Sequence, residues 1–114
     1  MPHFVIDCSS DILDVHPEDH VLEHVHSVAA ESGLFEVGDI KVRLNPYTEC
    51  LVGGKPAPFI HVFSSMMPGR TAEQKAGLSR AIVAKLTALF PDVSKIAMNV
   101  SEFDKSTYFK RDML

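Results

Sequence analysis

The chain has 114 residues, of which 46% are hydrophobic and 23% are charged, and its formal net charge is −4. These values predict one soluble globular domain over residues 1–114, and the negative charge argues against a nucleic-acid partner. No apolar stretch approaches the ~20 residues needed to span a bilayer, so we expect no membrane partner. The start lacks a basic region followed by a long apolar run, so we expect no signal peptide and a cytoplasmic location.

The first elements along the chain are a strand and a helix. Apolar and other residues alternate over residues 3–8, which predicts a strand that starts close to the N-terminus. Apolar residues then recur at helical spacing, which predicts a helix over about 17–32. Pro17 suits the first helical position and Gly33 suits the stop.

A second strand follows at residues 40–45, where apolar and polar residues alternate strictly. Because side chains alternate across a strand, Lys41, Arg43 and Asn45 share one face. The pattern predicts a half-buried strand, which we expect Pro46 to end.

The second half repeats the order strand, helix, strand. Residues 59–63 form a nearly continuous apolar run, typical of a central strand covered on both faces. Thr71 and Gln74 have the spacing of a capping box, and the helix that they begin should stop before Pro91. Alternation over residues 95–101 predicts the last strand.

Each half therefore has the order and size of a βαβ unit. The sequence predicts an α+β fold of βαββαβ order, with two pseudo-duplicated βαβ units, a four-stranded mixed sheet and both helices on one face. Residues 59–63 would leave apolar side chains on the bare face, which favours its being covered by other copies of the chain. A ferredoxin-like sheet has the same order of elements with different strand adjacency, and periodicity does not choose between the two.

Pro2 is a candidate general base. A proline after the initiator methionine normally allows removal of the methionine, and the chain would then begin with a free secondary amine. A strand starting at residue 3 would hold this amine still. An α-amino group titrates near pH 8 and burial lowers its pKa, so it could act as a base near neutrality. If Met1 is retained, the Pro2 nitrogen is an amide and cannot act as a base.

Residues 2–9 closely resemble the start of the 5-carboxymethyl-2-hydroxymuconate isomerase family. This family is part of the tautomerase superfamily, which also includes proteins like 4-oxalocrotonate tautomerase and macrophage migration inhibitory factor. Four further segments match the spacing of the family or of the wider superfamily: residues 32–35, 40–43, 59–62 and 69–75. The resemblance runs in register to about residue 80 and more loosely to residue 101.

The resemblance implies a homotrimer without a cofactor, in which the N-terminal proline is the acid/base catalyst in sites near subunit boundaries. Pro2 then takes the catalytic position, and Arg70 falls on the family's arginine after the glycine turn. Arg43 falls on a strand arginine, whereas Lys41 stands where the family has arginine. A lysine keeps the charge but loses the planar two-point grip on a carboxylate, which leaves the native substrate open.

This resemblance implies an isomerase that converts 5-carboxymethyl-2-hydroxymuconate to its 2-oxo isomer in bacterial aromatic catabolism. The shift moves one proton from an enol oxygen to a distant carbon, so one base that takes and returns the proton suffices. The substrate would be a dicarboxylate or tricarboxylate bound by Arg70, Lys41 and Arg43. The alternative for Lys41 and Arg43 is a solvated sheet edge.

Two other functions also fit the sequence. The first is another proline-based reaction of the same superfamily, such as a different tautomerisation or a dehalogenation in which Asp7 or Glu102 positions water. The second is a trimeric binding or structural protein whose proline is not catalytic. N-terminal mass spectrometry separates the second from the enzymes, because retention of Met1 would leave no free imino nitrogen.

Two weaker signals lie outside this motif set. His16, His20 and His24 are four residues apart, which permits a metal site, but a solvated helix face is favoured and we expect no metal. The tail from residue 103 is rich in aromatic residues, which could cap a pocket or pack on a neighbouring subunit.

Overall fold

The computed structural model describes residues 1–114 and contains six strands and two α-helices. In chain order they are β1 His3–Ser9, α1 Glu18–Glu31, β2 Lys41–Tyr47, β3 Leu51–Val52, β4 Lys55–Pro56, β5 Ile60–Met66, α2 Ala72–Leu89 and β6 Ile96–Glu102. Three short 3-10 helices cover Ser10–Asp14, Val37–Asp39 and Arg111–Met113. Neither α-helix has the length and apolar character that crossing a membrane requires.

Four strands form the main sheet in the order β2-β1-β5-β6, and β3 and β4 form a separate hairpin. The two central strands, β1 and β5, are antiparallel, while β1 pairs in parallel with β2 and β5 pairs in parallel with β6. Each α-helix therefore joins two adjacent parallel strands, and two βαβ units lie side by side. This arrangement confirms the predicted α+β fold and excludes the ferredoxin-like alternative, in which each βαβ unit is split by an intervening strand.

The core lies between the two helices and one face of the sheet. Fourteen apolar side chains form one buried cluster there. The helices contribute residues spaced four apart, which is one stripe on each helix: Val21, Val25 and Ala29 from α1, and Leu78, Ile82 and Leu86 from α2. Because side chains alternate across a strand, Phe4, Ile6 and Val62 are fully buried in this core, and Val5 and Phe63 point to the opposite face. The second face of the sheet is open.

The helix ends follow local signals. Gln74 N donates to the Thr71 hydroxyl over 3.1 Å, and Thr71 N donates to Gln74 Oε1 over 2.9 Å, so the predicted capping box is confirmed. The helix α2 ends at Leu89, two residues before Pro91. We expected Pro17 to be the first helical residue of α1. The helix begins one residue later, and Pro17 is its N-cap.

Pro46 does not end β2, and that prediction was wrong, because the strand continues to Tyr47. The strand β2 is at the edge of the sheet. Lys41 N donates to the carbonyl of Pro2, so alternate backbone amides from Lys41 onward face β1. Pro46 is an odd number of residues from Lys41, so its nitrogen faces the free edge of the sheet. Because no strand pairs there, the missing N–H of proline costs no hydrogen bond of the sheet.

Candidate active site

Pro2 lies immediately before β1, and its side chain is fully buried. Its carbonyl accepts a hydrogen bond from Lys41 N over 3.1 Å, which extends the parallel pairing of β1 and β2 by one residue. The start of the chain is therefore held in the sheet, as a base of fixed position requires.

Arg70 reaches the same region from the turn between β5 and α2. Gly69 in this turn has a φ of 128°, a conformation that residues with side chains rarely adopt. Arg70 Nε and Nη2 donate to the Leu34 carbonyl over 3.3 and 2.8 Å, and Nη1 donates to the Met67 carbonyl over 3.2 Å. The guanidinium carbon also lies 4.6 Å from the centre of the Phe35 ring, a cation–π contact. These contacts fix the orientation of the guanidinium.

Pro2 and Arg70 line one pocket of about 330 Å³. The segment between α1 and β2 supplies most of the remaining wall. The other lining residues are Met1, Gly33, Leu34, Phe35, Glu36 and Asp39. The pocket therefore combines the candidate base, one guanidinium and two carboxylates.

The terminal amine in this structure belongs to Met1, one residue before the Pro2 nitrogen. Burial lowers the pKa of this α-amino group below its ordinary value of 8.0, the charge of Asp39 raises it, and the charges of Arg70, Lys41 and Lys110 lower it. A less basic amine has more of its neutral form near pH 7, and the neutral form is the one that accepts a proton.

Lys41 and Arg43 are exposed and share one face of β2, as the alternation predicts. Lys41 Nζ donates to the carbonyl of Asp39 over 3.1 Å, which places the ammonium beside a residue of the pocket wall. Arg43 Nη1 lies 3.0 Å from His3 Nδ1 on the open face of the sheet. Neither side chain is part of the pocket lining.

Three residues of the pocket have roles that the sequence reasoning missed. Phe35 supports the Arg70 guanidinium, the Leu34 carbonyl binds it, and Asp39 acts on the terminal amine. Phe35 and Leu34 lie in a segment that matches the family's spacing, and this match was the one feature of the sequence that could have pointed to them. Asp39 is in a short 3-10 helix without periodicity.

The carboxylates proposed from sequence to position water lie elsewhere. Asp7 accepts hydrogen bonds from Asn45 Nδ2 over 3.2 Å and from the Tyr47 hydroxyl over 3.4 Å on the open face. Glu102 forms an ion pair with Lys75 at 2.9 Å. The carboxylates that share the pocket with Pro2 are Glu36 and Asp39.

A larger cavity of about 760 Å³ lies at the other end of β1. Its wall contains the carboxylates of Asp11 and Glu49 and the hydroxyl groups of Ser9 and Tyr47, but no lysine or arginine. A carboxylate substrate would meet no positive charge there, so the pocket of Pro2 and Arg70 is the better candidate site.

The histidines of the first helical region do not form a metal-binding group. No three metal-ligating side chains converge anywhere in the chain. His16 precedes α1, and its ring lies edge-on to the Phe90 ring at 5.2 Å between centres. His61, on the open face, has its Nε2 2.7 Å from Asn99 Oδ1.

Solved structures of other proteins share the fold of this chain. A 5-carboxymethyl-2-hydroxymuconate isomerase from Deinococcus radiodurans R1 is 23% identical with a TM-score of 0.83, over 96% of this chain and 88% of that chain. N1, a member of the cis-3-chloroacrylic acid dehalogenase family, is 16% identical with a TM-score of 0.79, over 96% and 80%. A fused wild-type 4-OT in the form of a symmetric trimer is 14% identical with a TM-score of 0.78, over 96% and 93%. The chain has the tautomerase-like α+β fold.

The family follows from the sequence itself. The family model of 5-carboxymethyl-2-hydroxymuconate isomerase matches residues 2–114. The chain belongs to this family and is an isomerase. A search of curated proteins gave no significant match.

Proposed function

We propose that the protein is a cytoplasmic, homotrimeric isomerase that converts 5-carboxymethyl-2-hydroxymuconate to its 2-oxo isomer in aromatic catabolism. Its base is the imino nitrogen of Pro2 after removal of Met1, and the reaction uses no cofactor. The observation that carries this proposal is that Pro2, buried at the start of the sheet, shares a pocket with the guanidinium of Arg70.

The proton transfer needs one acid/base group, the imino nitrogen of Pro2. The neutral imino nitrogen takes the proton of the dienol hydroxyl, which leaves a dienolate and a protonated imino group. The same group returns the proton to the distant carbon, and the 2-oxo product and the neutral base form together. Burial and nearby cations lower the pKa of the Met1 amine, one residue before Pro2. We expect the same surroundings to favour the neutral form of the Pro2 imino group, and the same cations to stabilise the dienolate between the two steps.

Arg70 is the proposed partner of a substrate carboxylate. A guanidinium has five N–H donors in a rigid fork. Three of them are used by the carbonyls of Leu34 and Met67, which leaves one donor on each terminal nitrogen. Two such donors can bind both oxygens of a carboxylate, and Phe35 holds the plane of the fork.

The proposed trimer would cover the open face of the sheet. Phe63 is 46% exposed there, and Val5 and His61 of the neighbouring positions are half-buried. Apolar and hydrogen-bonded side chains on an uncovered sheet favour contact with other copies. The symmetric trimer of the similar 4-OT structure supports the same assembly.

The test is an ultraviolet assay of ketonisation with protein whose first residue has been verified as Pro2 by mass spectrometry. Pro2→Ala, also with Met1 removed, should lose activity by about 10²–10⁴-fold, the usual contribution of general acid–base catalysis. Full activity of this variant, or of protein that retains Met1, would exclude the mechanism.

Arg70→Met tests the carboxylate site, with Arg80→Met as the control because Arg80 is exposed on α2. Loss of a bidentate, charge-assisted contact should raise KM by about tenfold or more. Unchanged KM and kcat in Arg70→Met would remove Arg70 from the site.

Dehalogenation is the second candidate, because Glu36 and Asp39 place carboxylates in the pocket of Pro2. A carboxylate there could position water for addition to an unsaturated acid. Halide release from cis-3-chloroacrylate separates the two reactions. The dehalogenase is favoured if the wild type releases halide, Asp39→Asn releases none, and the wild type does not ketonise the dienol.

A further inference from the structure

The pocket of one chain is short of positive charge for a substrate with two carboxylates. Its wall contains the guanidinium of Arg70 but also the carboxylates of Glu36 and Asp39. The imino nitrogen of Pro2 must be neutral to take a proton, so it adds no charge before the reaction. A second substrate carboxylate therefore needs a cation from outside this lining. Two lysines have charges that reach the terminal amine, Lys41 and Lys110, and Lys41 Nζ already donates to the carbonyl of Asp39.

The C-terminal tail returns to the start of the chain. Phe103 N donates to the carbonyl of Met66 over 2.9 Å, which continues the pairing beyond β6. The Phe103 ring then lies edge-on to the ring of His3 at 5.9 Å, and the Tyr108 ring lies 5.4 Å from Phe103 on a tilted plane. These contacts bring the tail next to the residue that follows Pro2.

Lys110 follows this aromatic pair, and its side chain is 39% exposed. Its nearest carboxylate is Asp112, at 4.0 Å, whose side chain is 84% exposed. A pair this long and this exposed stabilises little, so the ammonium is free to bind another anion. Lys110 also belongs to the three cations whose charge reaches the terminal amine, with Arg70 and Lys41.

We propose that Lys110 is a substrate-binding residue that holds the second carboxylate of a dicarboxylate whose first carboxylate binds Arg70. The His3–Phe103–Tyr108 stack is then the structural support that carries this lysine to the site. This inference rests on the proposed function, and it assigns the tail a role within its own chain.

Two unreactive ligands test the proposal directly. Hexa-2,4-dienedioate (muconate) and hexa-2,4-dienoate (sorbate) have the same carbon skeleton and differ by one carboxylate. Their dissociation constants are measured by calorimetry in the wild type, Lys110→Met, Lys110→Arg and Lys105→Met, all beginning at Pro2. Lys105 is the matched control because it is an exposed lysine of the same tail.

We expect Lys110→Met to weaken muconate binding by about tenfold, the value of one charge-assisted contact, and to change sorbate binding little. Lys110→Arg should retain most of the affinity for muconate, and Lys105→Met should behave as the wild type. The proposal is overturned if Lys110→Met affects both ligands equally or neither, or if the wild type binds muconate no more tightly than sorbate. Failure of the proposed function is a separate result, namely a wild type that turns over no dienol.

Discussion

His3 accepts a hydrogen bond from the guanidinium of Arg43, with 3.0 Å between Nδ1 and Nη1. A guanidinium is always a donor, so Nδ1 must be unprotonated and the neutral ring carries its proton on Nε2. Burial lowers the pKa of His3, and the charges of Arg43 and Lys41 lower it further. His3 also contacts Phe103. The side chain of His3 therefore connects β1, which directly follows Pro2, to β2 and to the C-terminal tail.

We predict that His3 makes the folded protein less stable at mildly acidic pH. The pKa of histidine in the unfolded chain is about 6.5, and in the folded chain it is lower. Between the two values the unfolded chain binds more protons, so the free energy of unfolding falls as the pH falls below about 6.5. His3→Asn keeps an acceptor near Nδ1 and does not titrate.

Urea unfolding at one protein concentration, from about pH 8 to about pH 5, checks this prediction. His3→Asn should lose less stability over this range than the wild type does. His20→Asn, an exposed histidine of α1, is the control and should lose as much as the wild type. Equal losses in His3→Asn and the wild type would contradict the prediction.

Asp39 should set the pH at which the base becomes active. Its carboxylate raises the pKa of the terminal amine, against the effects of burial and the cations. That amine belongs to Met1, but Pro2 lines the same pocket as Asp39. In protein that begins at Pro2 we therefore expect Asp39→Asn to lower the pKa of the imino group, so that the neutral base persists to lower pH. The acidic limb of the pH profile of kcat/KM, which reports the base of the free enzyme, should shift to lower pH.

The profile is measured together with the 15N chemical shift of Pro2 in protein labelled with 15N-proline. Glu36→Gln is the control, because Glu36 lines the pocket but is not one of the charges that act on the amine. A profile of Asp39→Asn that moves to higher pH, or does not move, would show that Asp39 has no such role.

The parts of the fold with local signals could be predicted from the sequence. The capping box of Thr71 and Gln74 and the alternation that gives β1 depend on neighbouring residues alone. Strand order could not be predicted, because alternation shows which face a side chain occupies but not which strand lies beside it. Pro46 shows the same limit, because β2 can contain a proline only as an edge strand, and the sequence does not show that β2 is at the edge.

For the candidate site, the N-terminal position of Pro2 and the turn before Arg70 were informative, and the structure places both residues in one pocket. Arg43 was grouped with them because it falls on a strand arginine of the family and shares a strand face with Lys41. That face is the open side of the sheet, where Arg43 binds His3. Asp39 could not be predicted, because it lies in a connection whose path is set by the packing of the elements on either side.

Ile82 should be among the side chains that stabilise the fold most. It is fully buried in the stripe of α2 that faces the sheet. Ile82→Ala should reduce the free energy of unfolding by about 2–5 kcal/mol, and Ile82→Val by about 0.5–1.5 kcal/mol, since each leaves a cavity of different size. Urea unfolding measures both, and Arg80→Ala on the exposed side of α2 should change stability by less than about 0.5 kcal/mol. A loss in Ile82→Ala as small as that in Arg80→Ala would show that this stripe is not packed as described.

Phe63 should be required for assembly but not for folding of the chain. Its ring is 46% exposed on the face of β5 that no helix covers, so a charge there meets water in a single chain. In the proposed trimer the same charge would be buried between subunits, at a cost of several kcal/mol.

Phe63→Asp should therefore keep the far-ultraviolet circular dichroism of the wild type and elute as a monomer, with its mass measured by light scattering. Val15→Asp is the matched control, because Val15 is 62% exposed outside the sheet, and it should remain a trimer. A trimeric Phe63→Asp would show that the subunits meet elsewhere, and a monomeric wild type would contradict the assembly itself.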